Sequence, residues 1–272
     1  MSPRLQVLRL QDYCVRYALS AIHDRLQNCK DDLHELHNVF IATLHSGIRQ
    51  QLINQAFIEY RRDTCLMIDI VCLLMDSSVR SVVPKPVSGF LNSTQCHKLF
   101  SLMDRLDATG LNELKVAVYS RNKMAVDPSF KVTVEWSALV RLNSLMTRGL
   151  AANLHTLMLR NACDNNILGA LGRAALNLKK LDISDNWLID EEGISRLLFK
   201  DPNCVRFPVD LDSCESWILK EMSAIADENL TRCCQTLQEV RIQDTNTSGI
   251  SVLMLLMFIK NLESLGGFLY YR

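Results

Sequence analysis

The residues whose types could do chemistry are thinly spread in this chain. His34 and His37 stand three apart, as on one face of a helix, and with Cys29 they could approach a zinc ion. Such histidine pairs more often mark a solvated helix edge, and none of the ten cysteines forms a C-x-x-C pair that would complete a site. Phosphate chemistry would need a glycine-rich cradle, and the chain has neither G-x-x-x-x-G-K-[ST] nor G-x-G-x-x-G. Acyl transfer would need an exposed nucleophile, and there is no G-x-S-x-G elbow. The acidic pairs Asp31–Asp32 and Glu191–Glu192 open helical patterns, where the helix dipole favours negative charge. The cysteines fall mostly at apolar-face positions, which predicts buried, inert thiols. The expectation is a protein that is not an enzyme and that holds no metal and no cofactor.

The elements that position side chains are more informative. In NLKKLDISDN (177–186) the apolar residues are Leu178, Leu181 and Ile183, and Asn186 follows. The spacing L-x-x-L-x-L-x-x-N recurs at Leu154, Leu157 and Leu159, with Ala162 in the asparagine slot. It recurs at Leu237, Val240 and Ile242 with Thr245 in the slot, and at Leu111, Leu114 and Val116 with Tyr119 there. Weaker copies run through Val79 and Val82, through 206–214 (Val209, Leu211, Cys214), and through Leu262 and Leu265. The wide step between the copies at 111 and 154 predicts an insertion at 122–136.

Between these copies the apolar period switches to that of a helix. Ile194, Leu197 and Leu198 share a face after Asn186, and Trp217, Ile218, Met222, Ile225 and Leu230 form a stripe. Ser248 opens an apolar helix that Asn261 could close, and Ser93 or Thr94 caps a helix that Gly110 ends. A buried asparagine, cysteine or threonine in the slot can bond the turn's backbone, which gives Asn186, Cys214 and Thr245 a structural role.

Residues 1–78 lack the strand spacing and read as helices. One face of the first carries Leu10, Cys14, Tyr17, Ala18, Ala21, Ile22 and Leu26. The second carries Leu33, Leu36, Phe40, Leu44 and Ile48, and a break near Gly47 leads to Leu52, Ala56 and Phe57. Asp63 caps the fourth.

Residues 79–272 therefore resemble a leucine-rich repeat domain of the intracellular, helix-bearing type. The fold expected from that resemblance is an α/β solenoid, with a parallel sheet on the concave face and helices on the convex face. An all-helical block then covers its first repeat. Within that block LQDYCVRYA places Leu10, Cys14 and Ala18 at four-residue steps, which is similar to the elongin-binding box. Families that put such a box ahead of leucine-rich repeats are substrate receptors of cullin-type ubiquitin ligases. The resemblance implies that Leu10 enters the adaptor's groove with Cys14 beneath it. Such receptors carry a downstream cullin-contacting segment with a proline, and no proline lies between Pro3 and Pro84. An F-box-like block bound to another adaptor, or a plain cap on a scaffold or regulatory protein, fits the same pattern.

The residues that alternate with the apolar ones face outward on the sheet. They place Arg160, Lys180, Asp182, Asp210, Asp212, Glu239 and Arg241 on one surface, with the three aspartates clustered as a site for a basic segment of a protein partner. Thirty basic residues balance thirty acidic ones, so the positive excess of a nucleic-acid binder is missing. The longest apolar run, 252–259, is far short of the ~20 residues a bilayer span needs. The chain opens MSPRLQVLRL without the apolar core of a secretion signal, which predicts a reducing cytoplasmic or nuclear location with free thiols.

Overall fold

A computed structural model of the chain describes residues 3–28, 33–84, 91–118, 134–204, 225 and 227–266. Four helices come first: α1 (Pro3–Asn28), α2 (Leu33–Thr43), α3 (Ser46–Glu59) and α4 (Thr64–Leu74). Asp63 caps α4 by accepting from Leu66 N at 3.0 Å. The α2–α3 break expected near Gly47 falls at Leu44–His45, where the His45 ring accepts from Gly47 N at 3.1 Å and starts α3. α4 is buried nearly all round, and α3 buries Leu52, Ile53, Ala56 and Phe57.

The packed face of α1 differs from the expected one. Leu19 and Ile22 are buried, and Val15, Ala18 and Leu26 are half-buried beside them. Leu10, Cys14, Tyr17 and Ala21 are exposed. At 100° per residue the two sets lie roughly 125° apart around the helix. Helix α1 thus has two apolar sides, and the inner one holds the 15, 18, 19, 22, 26 spacing.

Strands and helices then alternate. In order they are β1 (Ser81–Val82), α5 (Ser93–Arg105), β2 (Glu113–Ala117), α6 (Trp136–Leu145), α7 (Ala151–Asn153) and β3 (Thr156–Arg160). There follow α8 (Asn165–Ala174), β4 (Lys180–Asp182), α9 (Glu191–Leu198), α10 (Cys233–Thr236), β5 (Glu239–Arg241), α11 (Gly249–Phe258) and β6 (Ser264–Gly266). The six strands form one parallel sheet in chain order. Its register aligns Val82, Leu114, Leu157, Leu181, Val240 and Leu265, and the first five of these are buried. Alternate side chains on β2 and β3 are buried and half-exposed, so one sheet face is covered. Parallel strands added in one direction through right-handed crossovers put every connecting helix on the same face. The buried residues from Leu19 to Ile259 make one continuous cluster that joins the helical block to the sheet.

The strand expected at 206–214 lies outside the described residues, and the place between β4 and β5 where it would stand as a rung is closed. Lys180, Leu181 and Asp182 pair directly with Glu239, Val240 and Arg241, so nothing stands between β4 and β5. Asp210, Asp212, Cys214, Trp217, Ile218 and Met222 lie outside the described residues, as does Tyr119. Of the insertion expected at 122–136, 122–133 also lie outside them. The chain leaves the alternating path after α9 and rejoins it before α10, where Phe199 and Leu230 form an antiparallel bridge. Thr231 N donates to Leu198 O and Lys200 N to Asn229 O, both at 2.8 Å. Leu230 thus sits in that bridge and not on a helical stripe.

Asn186 supplies the main polar tie between units. Its Nδ2 donates to Leu159 O (2.5 Å), Ile183 O (2.7 Å) and Ser184 O (3.1 Å), and its Oδ1 accepts from Cys163 N (2.8 Å). Thr245 does part of the same work by donating to Ile242 O at 2.8 Å. The residue before three of the slots, those of Ala162, Asn186 and Thr245, turns into the left-handed region: Asn161 (φ 54°), Asp185 (φ 66°) and Asp244 (φ 53°). Asparagine and aspartate tolerate that region better than other side chains. Two helix boundaries also differ from expectation. The cap of α5 is Asn92, in a reciprocal capping box with Gln95, and that helix ends at Arg105 rather than at Gly110. Helix α11 is capped by Ser248 as expected, whereas Asn261 donates to Gln235 O at the end of α10.

The helical block is bolted to β1 by two side chains of α3. Gln50 donates to Ser81 O (3.1 Å) and accepts from Arg80 N (2.8 Å) and Ser81 N (3.2 Å), which satisfies the edge strand's backbone. Buried Arg49 donates to Ile41 O and Leu44 O at the end of α2, and to Asp76 and Ser78 ahead of β1. Burial alone would raise the Asp76 pKa, but hydrogen bonds from Ser78 and the Arg49 guanidinium outweigh it and hold the carboxyl below its usual range. A depressed folded-state pKa adds stability above the unfolded value of about 3.9, and that stability is lost as pH falls through the folded value. Asp76→Asn should therefore be less stable than the parent at pH 7, and the gap should close toward pH 3. Urea unfolding at the two pH values checks this, and a gap of equal size at both would refute it.

Candidate functional site

Two surfaces concentrate the residues singled out by the sequence. The first is the exposed face of the sheet. The alternation of the strands brings Arg160, Lys180, Asp182, Glu239 and Arg241 together there, and register sets their neighbours. Arg160 closes on Asp182 Oδ2 through Nη2 (2.9 Å) and Nε (3.2 Å), and Asp182 Oδ1 accepts from Ser184 N (3.1 Å). Lys180 pairs with Glu239 at 2.5 Å, and Lys115 pairs with Glu113 at 2.5 Å. Asp182 is only 13% exposed and its charge is spent on Arg160. Among the described residues the charges of this face are largely paired with one another, and Asp210 and Asp212, the other two aspartates of the expected acidic cluster, lie outside them. Pairs this close to water contribute at most about 1 kcal/mol each. Arg241 is exposed, and its aliphatic stem lies over Gly266 on β6.

The second surface is the outer side of α1. Leu10 is 67% exposed, Tyr13 74% and Tyr17 80%, and Cys14 lies between them with a free thiol. Positions 10, 13, 14 and 17 fall on one side of a helix. Ala18, the last residue of the expected adaptor-binding trio, instead packs toward the core. The inner side of α1 rests on α3 and α4. Tyr60 donates to Leu19 O (3.4 Å), Arg16 pairs with Glu59 (3.1 Å) and Gln11 donates to Gln51 (3.1 Å). The cover over β1 is built by α3, and α4 packs against α5, so α1 forms an outer layer.

The groups that could do chemistry are occupied structurally. His37 Nδ1 donates to Leu73 O (3.1 Å) near the end of α4, and Asn38 donates to His34 Nδ1 (3.1 Å). Cys29 lies outside the described residues. Among the described residues no three His, Cys, Asp or Glu side chains gather as a cation site. Cys72, Cys96, Cys163, Cys233 and Cys234 are buried as free thiols. Burial raises the pKa of each, Cys234 to about 11 and Cys233 to about 12, so they stay protonated and unreactive near neutral pH. No helix among the described residues is long and apolar enough to cross a membrane.

No protein-family model matches the chain, and no curated protein matches it. The residue that sequence reasoning missed is Tyr13. It falls outside the four-residue steps of Leu10, Cys14 and Ala18, yet its three-residue offset from Leu10 puts it on the exposed face.

Proposed function

We propose that the alternating strand–helix units are leucine-rich repeats stacked as a solenoid, and that the chain is a protein-binding module whose helical block docks an adaptor. In this reading the chain is the substrate-recognition subunit of a cullin-type ubiquitin ligase. The in-register column of Val82, Leu114, Leu157, Leu181 and Val240, with the Asn186 tie, supports the repeat assignment. The observation that carries the docking role is the outer face of α1. Leu10, Tyr13, Cys14 and Tyr17 stay exposed on a helix whose other side is already packed. An amphipathic helix offering anchors at i, i+3, i+4 and i+7 suits a partner's apolar groove. The elongin heterodimer is the adaptor implied by the spacing of Leu10 and Cys14. The second reading is a scaffold or regulatory protein whose block only caps the repeats. It is favoured by Ala18, which is drawn into the protein's own core.

Titration of purified elongin heterodimer into the full chain separates the two. The parent should bind, and Leu10→Asp with Tyr17→Asp should weaken binding at least tenfold. Both positions are exposed, so unfolding stability should change by less than about 1 kcal/mol. A parent chain that does not bind elongin would overturn the ligase reading, and a double variant that binds undiminished would remove α1 as the docking face.

A further inference from the structure

Away from both surfaces, two hollows flank the turn that follows α5. The first, of about 300 Å³, lies between α2, α4 and α5 and is walled by Leu33, Cys72, Leu73, Leu102 and Leu106. The second, of about 230 Å³, lies between that turn and the 145–150 segment and carries Arg148 and Thr109. Arg105, Leu106 and Asp107 border both, so the two make one furrow with an apolar end and a polar end.

The charges along the furrow do not cancel. Among the described lining residues and their direct ion-pair partners, Lys98, Arg105, Arg141 and Arg148 stand against Asp69, Asp104 and Asp107. The carboxylates are already engaged. Lys98 holds Asp69 at 2.7 Å, Arg148 and Arg141 share Asp104 at 2.6 and 3.7 Å, and Asp107 accepts from Thr109 N and Oγ1 at 3.1 and 2.6 Å. Arg105 is exposed at the end of α5 and has no hydrogen bond or ion pair among the described residues. His34 accepts from Asn38 at Nδ1, which leaves its Nε2–H as a second donor on the apolar hollow. His37 Nε2 is an open acceptor and Asp107 keeps its charge, but the cations exceed the carboxylates by one, because Arg105 is unpaired among the described residues and Arg141 and Arg148 share Asp104. The first hollow is at the lower end of the size range of ligand-binding clefts. The buried Cys72 thiol remains protonated and serves there as apolar wall.

We propose that this furrow is a docking groove for an acidic, extended segment of a partner protein. A leucine-sized side chain fills the hollow over Leu73 and Leu102, and carboxylates further along meet Arg105 and Arg148. Apolar contact supplies the anchor and the arginine forks supply the sign of charge selected. The groove is separate from the outer side of α1, so it can be occupied whether or not an adaptor sits there.

The test uses the full chain with its leucine methyls isotopically labelled, and a probe peptide bearing one leucine followed by three glutamates. Titration should shift the methyl resonances of Leu73, Leu102 and Leu106, with saturation. Arg105→Glu together with Arg148→Glu should weaken binding at least tenfold while leaving the unliganded spectrum folded. A second peptide with lysines in place of the glutamates should leave the methyls unmoved. Equal shifts from both peptides would overturn the proposal, because apolar contact alone would explain them, and so would an acidic peptide that moves no methyl in the furrow.

Discussion

Asn186→Leu is expected to destabilise the folded chain by about 4 kcal/mol, since each buried polar group stranded without a partner costs about 1–3 kcal/mol. Leucine has the same number of side-chain heavy atoms and the same branching, so the outline is kept while its bulkier methyls add to the strain. What disappears is the acceptor for Cys163 N and the donors to Leu159 O, Ile183 O and Ser184 O, at a site 2% exposed to water. Two of these four partners belong to the preceding strand–helix unit, so the loss should loosen the joint between units as well as the local turn. Urea unfolding measures it. A change no larger than that of an ordinary surface substitution, about 0.5 kcal/mol, would show that water can replace the side chain there.

Gly110→Ala should be the most damaging single substitution. A Cβ at 110 would lie 1.6 Å from Ser77 O and 2.5 Å from Ser77 C, and both are backbone atoms. Relief therefore requires the 76–78 turn to move. That turn carries Asp76 and Ser78, the partners of Arg49, while Arg80 donates to Gly110 O at 2.9 Å. Displacing it would pull the bolt between the helical block and β1. The expected result is a loss above about 4 kcal/mol, or no soluble folded protein. Gly47→Ala is the control, because a Cβ there meets nothing closer than 3.4 Å and should be tolerated. Normal yield and stability for Gly110→Ala would mean that the two turns can separate at little cost.

The parallel sheet was legible because its apolar spacing is repeated. Leu114, Leu157, Leu181 and Val240 occupy equivalent places in the sequence and align in the sheet. The rung expected at 206–214 does not stand between β4 and β5, although Val209 and Leu211 carry the same alternation. A period of two over three residues is a weak signal, and which strands pair is settled by contacts distant in sequence. The packed face of α1 was misread for a related reason. A helix with apolar residues on two sides gives no local sign of which side meets the core, and α3 and α4 decide it. Arg160, Lys180, Asp182, Glu239 and Arg241 share the exposed sheet face, Asp210 and Asp212 lie outside the described residues, and the ion pairs depend on side-chain conformations that spacing does not encode. The left-handed Asn161, Asp185 and Asp244 carried a readable signal, an asparagine or aspartate just ahead of the slots at 162, 186 and 245, that a search for apolar spacing passes over.

The bridge between Phe199 and Leu230 has a practical consequence. Residues paired across antiparallel backbone stand about 4.5–5.5 Å apart, so the chain returns almost to the point where it departed. The ring of Phe199 also sits edge-on to Phe258 at 4.9 Å, which anchors that crossing point in α11. Anything spliced between 200 and 229 whose own termini lie close together would be carried as a passenger. A fluorescent reporter or an affinity handle placed there should travel with the protein while the Leu181–Val240 pairing stays intact.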